Sequence, residues 1–306
     1  MRTFAPIVAL LAVLLAAVTA RSEEVVVASG IRGPEGPLFV EGNLYYVGWV
    51  DGALYRWDGK VSTILNNSKP CGHNGLALTP RRTFLVACGD EPSAILELDM
   101  KGKELRRWTT DKGGHSFAGG VNDIVVTAKS GAYATLYGPF GGDPTLVEGK
   151  IIYLAPGATD WIEVADDLNY ANGVGVSPDG GTLYVSETVS NCILKFTINP
   201  DGTLSRRSNF ALLSRLTPSR NTSWWLGPDS MKIDRRGDIY VAQAFGAKVL
   251  KISPTGSLLH VFDIAAGENT TNVAFGPDEK DLYVTVVKDG NDPEAKGVVV
   301  RIPNVD

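Results

Sequence analysis

One phrase recurs six times along this chain, and it constrains the fold more than any other feature. A small or polar residue beside glycine opens a short alternating run, a turn follows, and a second run carries an aromatic or apolar pair. The first copy reads Glu35-Gly36-Pro37-Leu38-Phe39, a Gly42-Asn43 turn, then Leu44-Tyr45-Tyr46-Val47. Later copies open at Asn74-Gly75-Leu76, Asn122-Asp123-Ile124, Asn172-Gly173-Val174, Asp229-Ser230-Met231 and Thr271-Asn272-Val273. The spacing is roughly 40 to 57 residues, a period of propellers rather than helical solenoids. Period-2 apolar alternation punctuated by Gly, Pro and Asp is a hairpin signature, so each copy is expected to be two strands joined by a tight turn. A third apolar run follows each hairpin, as in Ile95-Leu96-Glu97-Leu98, and a weaker fourth follows some, as in Glu104-Leu105-Arg106-Arg107-Trp108. The expectation is an all-β chain folded as a six-bladed β-propeller. A sandwich or two packed barrels is the alternative, which six copies in register disfavour. Val25-Val26-Val27, a lone strand before the first copy, is expected to complete the last blade and close the ring.

The ends and the composition narrow the function. Arg2 precedes an apolar run ending in Val18-Thr19-Ala20, which reads as a signal peptide over residues 1–20 ahead of a single domain over 21–306. Secretion to an extracellular or periplasmic compartment follows, with no membrane attachment after cleavage. A net charge of −5 without a basic stripe excludes nucleic acid as a natural partner and leaves a small molecule. Three cysteines are too few for a disulfide framework. Cys71 and Cys88 flank a hairpin and could pair in an oxidising compartment, leaving Cys192 over.

The innermost strand of a propeller blade opens beside the central tunnel. Around the ring those positions hold Glu35, Asn74, Asn122, Asn172, Asp229 and Thr271-Asn272. Each alone reads as turn chemistry, because Asn and Asp before glycine are favoured there. Together they share one register, and inward carboxylates in a narrow tunnel are costly unless neutralised. Glu35 and Asp229 supply charge, and Asn122 and Asn172 supply carbonyl oxygens. That all-oxygen set selects calcium over zinc or copper, and four side chains leave sites open for water and substrate.

These residues resemble the gluconolactonase, senescence-marker-protein and luciferin-regenerating-enzyme family. Glu35 within Gly33-Pro34-Glu35-Gly36-Pro37, Asn122-Asp123, Asn172-Gly173-Val174 and Gly227-Pro228-Asp229 are similar to its four calcium-ligand motifs. Thr271-Asn272-Val273-Ala274-Phe275-Gly276 resembles its last-blade signature. The resemblance implies one tunnel calcium and hydrolysis of small cyclic esters, with phosphotriester or aryl-ester hydrolysis, or a non-catalytic calcium-stabilised propeller, as alternatives. Gluconolactone-type members carry an arginine two residues before the third-blade asparagine. This chain has Gly120 there, which favours a less polar ring.

The expected chemistry is attack of water on a carbonyl polarised by the cation. Asp229 is the first candidate base, with His73 and His115 as alternatives that titrate near neutrality, or else as plain loop histidines. Trp224 and Trp225 are expected to wall the substrate or else to pack between blades, and residues 137–150 form a second candidate rim loop.

Overall fold

The computed structural model describes residues 23–67, 71–117, 119–139, 143, 145–223, 225–303 and 305. The expected signal peptide lies outside them.

Six antiparallel four-stranded sheets form the blades of a β-propeller. Blade one runs Pro34–Val40, Asn43–Gly48, Ala53–Trp57 and Ser62–Asn66 from the axis outward. Blade two runs His73–Leu78, Thr83–Cys88, Ala94–Asp99 and Glu104–Trp108, and blade three Val121–Val126, Ala132–Leu136, Gly149–Leu154 and Ile162–Leu168. Blade four comprises Ala171–Val176, Thr182–Glu187, Cys192–Ile198 and Leu204–Leu212, and blade five Gly227–Ile233, Ile239–Ala244, Lys248–Ile252 and Leu258–Asp263. Blade six is assembled from both ends of the chain. Asn269–Phe275, Leu282–Val287 and Lys296–Ile302 take Val25–Arg32 as their outermost strand, with Val25 paired to Arg301 and Arg32 to Lys296. The ring is thus closed by hydrogen bonds between the chain's two ends, as the lone valine strand suggested.

The core is divided among the blade interfaces. Leu85, Ile95 and Trp108 of blade two pack on Ile124, Ala134 and Ile152 of blade three. Tyr240 and Val249 of blade five meet Val284 and Val300 of blade six, and Tyr46 of blade one meets Tyr283 and Val299. Every sheet is therefore covered on both faces, and second strands such as Ile239–Ala244 are buried from end to end. Outermost strands are the exception. Ser62–Asn66 has no fully buried residue, so no apolar face imposes the alternation that would mark it in sequence. Among the described residues helix is confined to Leu213–Leu216 and a single 3₁₀ turn, Pro277–Glu279.

Candidate functional site

In every blade the pairing between the innermost strand and its neighbour slips near the strand's start. The slips fall between Glu35 and Leu38, His73 and Leu76, Val121 and Ile124, Ala171 and Val174, Pro228 and Met231, and Thr270 and Asn272. A bulge leaves residues out of the ladder, bends the strand and re-aims side chains. The repeated Asn, Asp and Glu residues lie at these slips, which is how six similar strands bring polar groups to one end of the axis. The glycines beside them are packing devices. A Cβ at Gly75 would stand 2.8 Å from the Asn122 carbonyl oxygen, and one at Gly173 would stand 2.6 Å from that of Asp229. The Asn-Gly pairs that read as turns are therefore places where neighbouring inner strands touch.

The polar ends line a cavity of about 300 Å³. Its floor is made by Glu35, Asn122, Asn172 and Asp229, with Asn74 and Thr271 alongside. Glu35 is only 5% exposed, and its Oε2 accepts hydrogen bonds from the Gly36 N–H at 2.8 Å and from Asn272 Nδ2 at 2.7 Å. Asn272 does not line the cavity. It is fully buried, its Oδ1 accepts the Val273 N–H, and its amide orients Glu35 from behind. The Thr271 hydroxyl bonds to the Pro34 carbonyl at 2.8 Å and joins the first blade to the sixth. Asn172 donates through Nδ2 to Thr188 Oγ1 at 3.1 Å, while its buried Oδ1 has no hydrogen-bond partner among the described residues.

Charge is concentrated here. Burial pushes the Glu35 carboxyl above its ordinary range, against the hydrogen bonds from Asn272 and Gly36. Burial also drives Asp229 well up, and the Glu35 charge pushes it further. A third carboxylate, fully buried Asp123, accepts the Ile124 N–H at 2.8 Å and faces the Lys232 ammonium at 4.0 Å. Neither Asp123 nor Lys232 lines the cavity, so the floor acids have no basic partner in its lining.

A divalent cation fits this floor. Among the described residues no three His, Cys, Asp or Glu side chains gather into a metal cluster; the donors are two acids and two amides. The set is all oxygen, one amide oxygen is orphaned, and two acids are held uncomfortably close in a buried place. An oxygen-seeking cation answers all three conditions, and without one a buried acid pair is costly.

The histidines are not brought to the cavity. His73 neighbours Asn74, but successive residues of a strand point to opposite sides. It is fully buried, and burial pushes its pKa down to about 4. His115 lies on an outer loop with its side chain 76% exposed, paired to Asp111 at 3.0 Å. Ser230, which follows Asp229, is likewise buried and outside the lining. Asp229 is thus the one sequence-predicted base that the cavity contains. Trp225 lines the cavity, whereas Trp224 lies outside the described residues.

Sequence reasoning reached Trp225 and, at the head of the candidate rim segment 137–150, Tyr137, but missed the rest of the wall. Tyr137 stacks on Tyr170 at 5.0 Å, and Tyr170 meets Trp225 edge to face at 4.8 Å. Trp49 and Phe245 also line the cavity. Gly120 explains the first of these. It has φ +96°, and a Cβ there would lie 2.2 Å from the Tyr137 ring. The tyrosine occupies the space that a side chain at 120 would need, and its hydroxyl donates to the Gly89 carbonyl at 2.9 Å. That glycine in place of a longer side chain was the available signal, but nothing in the sequence said which ring would fill the gap. The root of the wall is stapled by a Cys71–Cys88 disulfide, Cα–Cα 4.8 Å, and Cys192 is free and buried.

Known proteins share this architecture. Residues 33–288 match a family model described as SMP-30/Gluconolactonase/LRE-like region. Regucalcin from Xenopus laevis is 27% identical over 279 residues, covering 89% of each protein. Lactonase drp35 from Staphylococcus haemolyticus is 27% identical over 270 residues, covering 85% of this chain and 79% of that one. A solved gluconolactonase from Xanthomonas campestris shares the fold with a TM-score of 0.74 at 24% identity, covering 94% of this chain and 93% of the other. The family match extends from the first inner strand into the sixth blade, and this chain belongs to the SMP-30/gluconolactonase/LRE-like family.

Proposed function

We propose that this protein hydrolyses small lactones at the floor of the cavity, with one calcium ion held by Glu35, Asn122, Asn172 and Asp229. The observation that carries the reading is the pair of buried acids, Glu35 and Asp229, sharing a floor with two amides and no base. Two formal charges and two neutral carbonyl oxygens suit a hard divalent cation with sites left for water and substrate. When bound, the cation supplies Lewis-acid polarisation of the ester carbonyl and stabilises the charge of a tetrahedral intermediate. The similarity to lactonase drp35 supports a lactone as the substrate class.

The chain's own residues do the rest. Asp229 is the carboxylate at the floor suited to take a proton from an attacking water. Asn272 keeps Glu35 pointed inward, and the aromatic wall keeps competing water from the substrate face. The signal-peptide pattern and the Cys71–Cys88 bridge together support export to an oxidising compartment.

The test is a substrate panel on the calcium-loaded protein: γ- and δ-lactones, an open-chain aryl ester and a phosphotriester. Turnover of lactones above the other two supports the reading. Turnover of the phosphotriester alone, or of none, overturns it.

A further inference from the structure

We infer that Asp90 makes the cavity a charge discriminator, favouring lactones with a cationic substituent over neutral ones and rejecting those with a carboxylate or phosphate. The inference rests on the lactone reading for the reaction but on separate residues for the selectivity. Among the described residues the lining holds three acids, Glu35, Asp90 and Asp229, and no lysine, arginine or histidine. A divalent cation at the floor balances the formal charges of Glu35 and Asp229. The charge of Asp90 is left over, on an exposed side chain in the cavity lining.

The backbone that carries Asp90 is anchored at its root. Asp90 lies in the loop between Thr83–Cys88 and Ala94–Asp99, whose root is tied by the disulfide and by the Gly89 N–H donating to the Gly72 carbonyl at 2.8 Å. Its carboxylate lies over Gly72, where a Cβ would stand only 2.8 Å from Oδ1. No described residue is hydrogen-bonded or ion-paired to that carboxylate. Its field also reaches Tyr137, whose hydroxyl it helps burial to hold above its ordinary range.

The neighbours suit a cation. Trp49, Tyr137, Tyr170, Trp225 and Phe245 line the same cavity, and aromatic faces beside an unpaired carboxylate attract an ammonium group. An anionic substituent meets the same carboxylate with no base in the lining to offset the repulsion. The nearby Lys232 is outside the lining and faces Asp123.

Three lactones of one ring and size, bearing an ammonium, an acetamide or a carboxylate, are compared on the calcium-loaded wild type and on Asp90→Asn. Wild type is expected to order them cationic, neutral, anionic in kcat/KM, and Asp90→Asn to lower the cationic-to-anionic ratio roughly ten-fold, mostly through KM. Added salt should shrink the wild-type ratio in the same direction. Equal rates on the charged pair, a ratio unmoved by Asp90→Asn, or an equal loss on all three substrates overturns the inference. Binding of the matching unreactive lactams, read by tryptophan fluorescence, separates the two readings. Their charge order in Kd tests Asp90 without turnover, so an intact order with no hydrolysis sinks the reaction and leaves the discriminator standing.

Discussion

The floor and the wall of the cavity are built in opposite ways. The floor comes from inner-strand starts, one per blade, each aimed by a bulge in the same register. The wall comes from connecting segments outside the inner strands: Trp49, Tyr137 and Phe245 one place after the second strands of their blades and Asp90 two places after its own, with Tyr170 and Trp225 just before inner strands. Repetition keeps the floor polar from blade to blade, whereas the wall changes chemistry, from rings after three second strands to Gly89-Asp90 after another. The difference assigns chemistry to the floor and choice of substrate to the wall.

Breaking the floor should have the largest effect. Asp229→Ala and Glu35→Gln each remove one of two formal charges from the proposed ion, and metal-assisted polarisation is worth several kcal/mol. Each variant is therefore expected to lose on the order of 10²–10³-fold in kcat/KM at limiting calcium. Wild-type turnover by either would remove the floor from the chemistry.

The next effect is on stability. Burial raises both floor acids, so without metal a proton takes the place of the cation. An acid raised in the folded state stabilises the fold below its unfolded value, near 4.5 for Glu35, and loses that contribution as pH climbs through about 7. Metal-free protein should therefore lose on the order of 1–3 kcal/mol between about pH 5 and pH 8 relative to calcium-loaded protein, a difference read from Tm in chelator and in calcium. His73 acts in the opposite sense, since its depressed pKa costs stability as pH falls below 6.5, but it does so with or without metal and cancels from that difference. A calcium effect on Tm that does not grow with pH would contradict the account.

Changes to the wall should alter preference rather than abolish turnover. Apolar contact contributes about 0.8 kcal/mol per buried methylene, so an alkyl- or aryl-substituted lactone is expected to exceed gluconolactone in kcat/KM. Tyr137→Ala should narrow that preference about ten-fold by opening the space over Gly120. If gluconolactone is the better substrate, the wall has been misread.

How legible each region was follows from the same contrast. The blades and their closing strand were readable because both faces of most sheets are buried, which leaves apolar runs between turn signals. Ser62–Asn66 and Ile162–Leu168 were not, because these outer strands bury almost no residue fully and lose that pattern. The floor was readable because Glu35, Asn122, Asn172 and Asp229 recur at one register. Tyr170 and Asp90 carry no such mark, since a ring or acid in a connecting loop is ordinary until the fold turns it inward. Trp49, Tyr137 and Phe245, by contrast, recur one place after second strands, a signal the inner-strand pattern overshadowed. His73 misled for a related reason: adjacency in sequence to Asn74 is, on a strand, a reason to face the other way.

The most direct measurement is the rate of δ-lactone hydrolysis by protein stripped with a chelator and then titrated with calcium, with Tm followed in parallel. The account predicts that hydrolysis vanishes on stripping while the fold persists, then returns saturably with one calcium per chain. Full hydrolysis in excess chelator by a still-folded protein would contradict it.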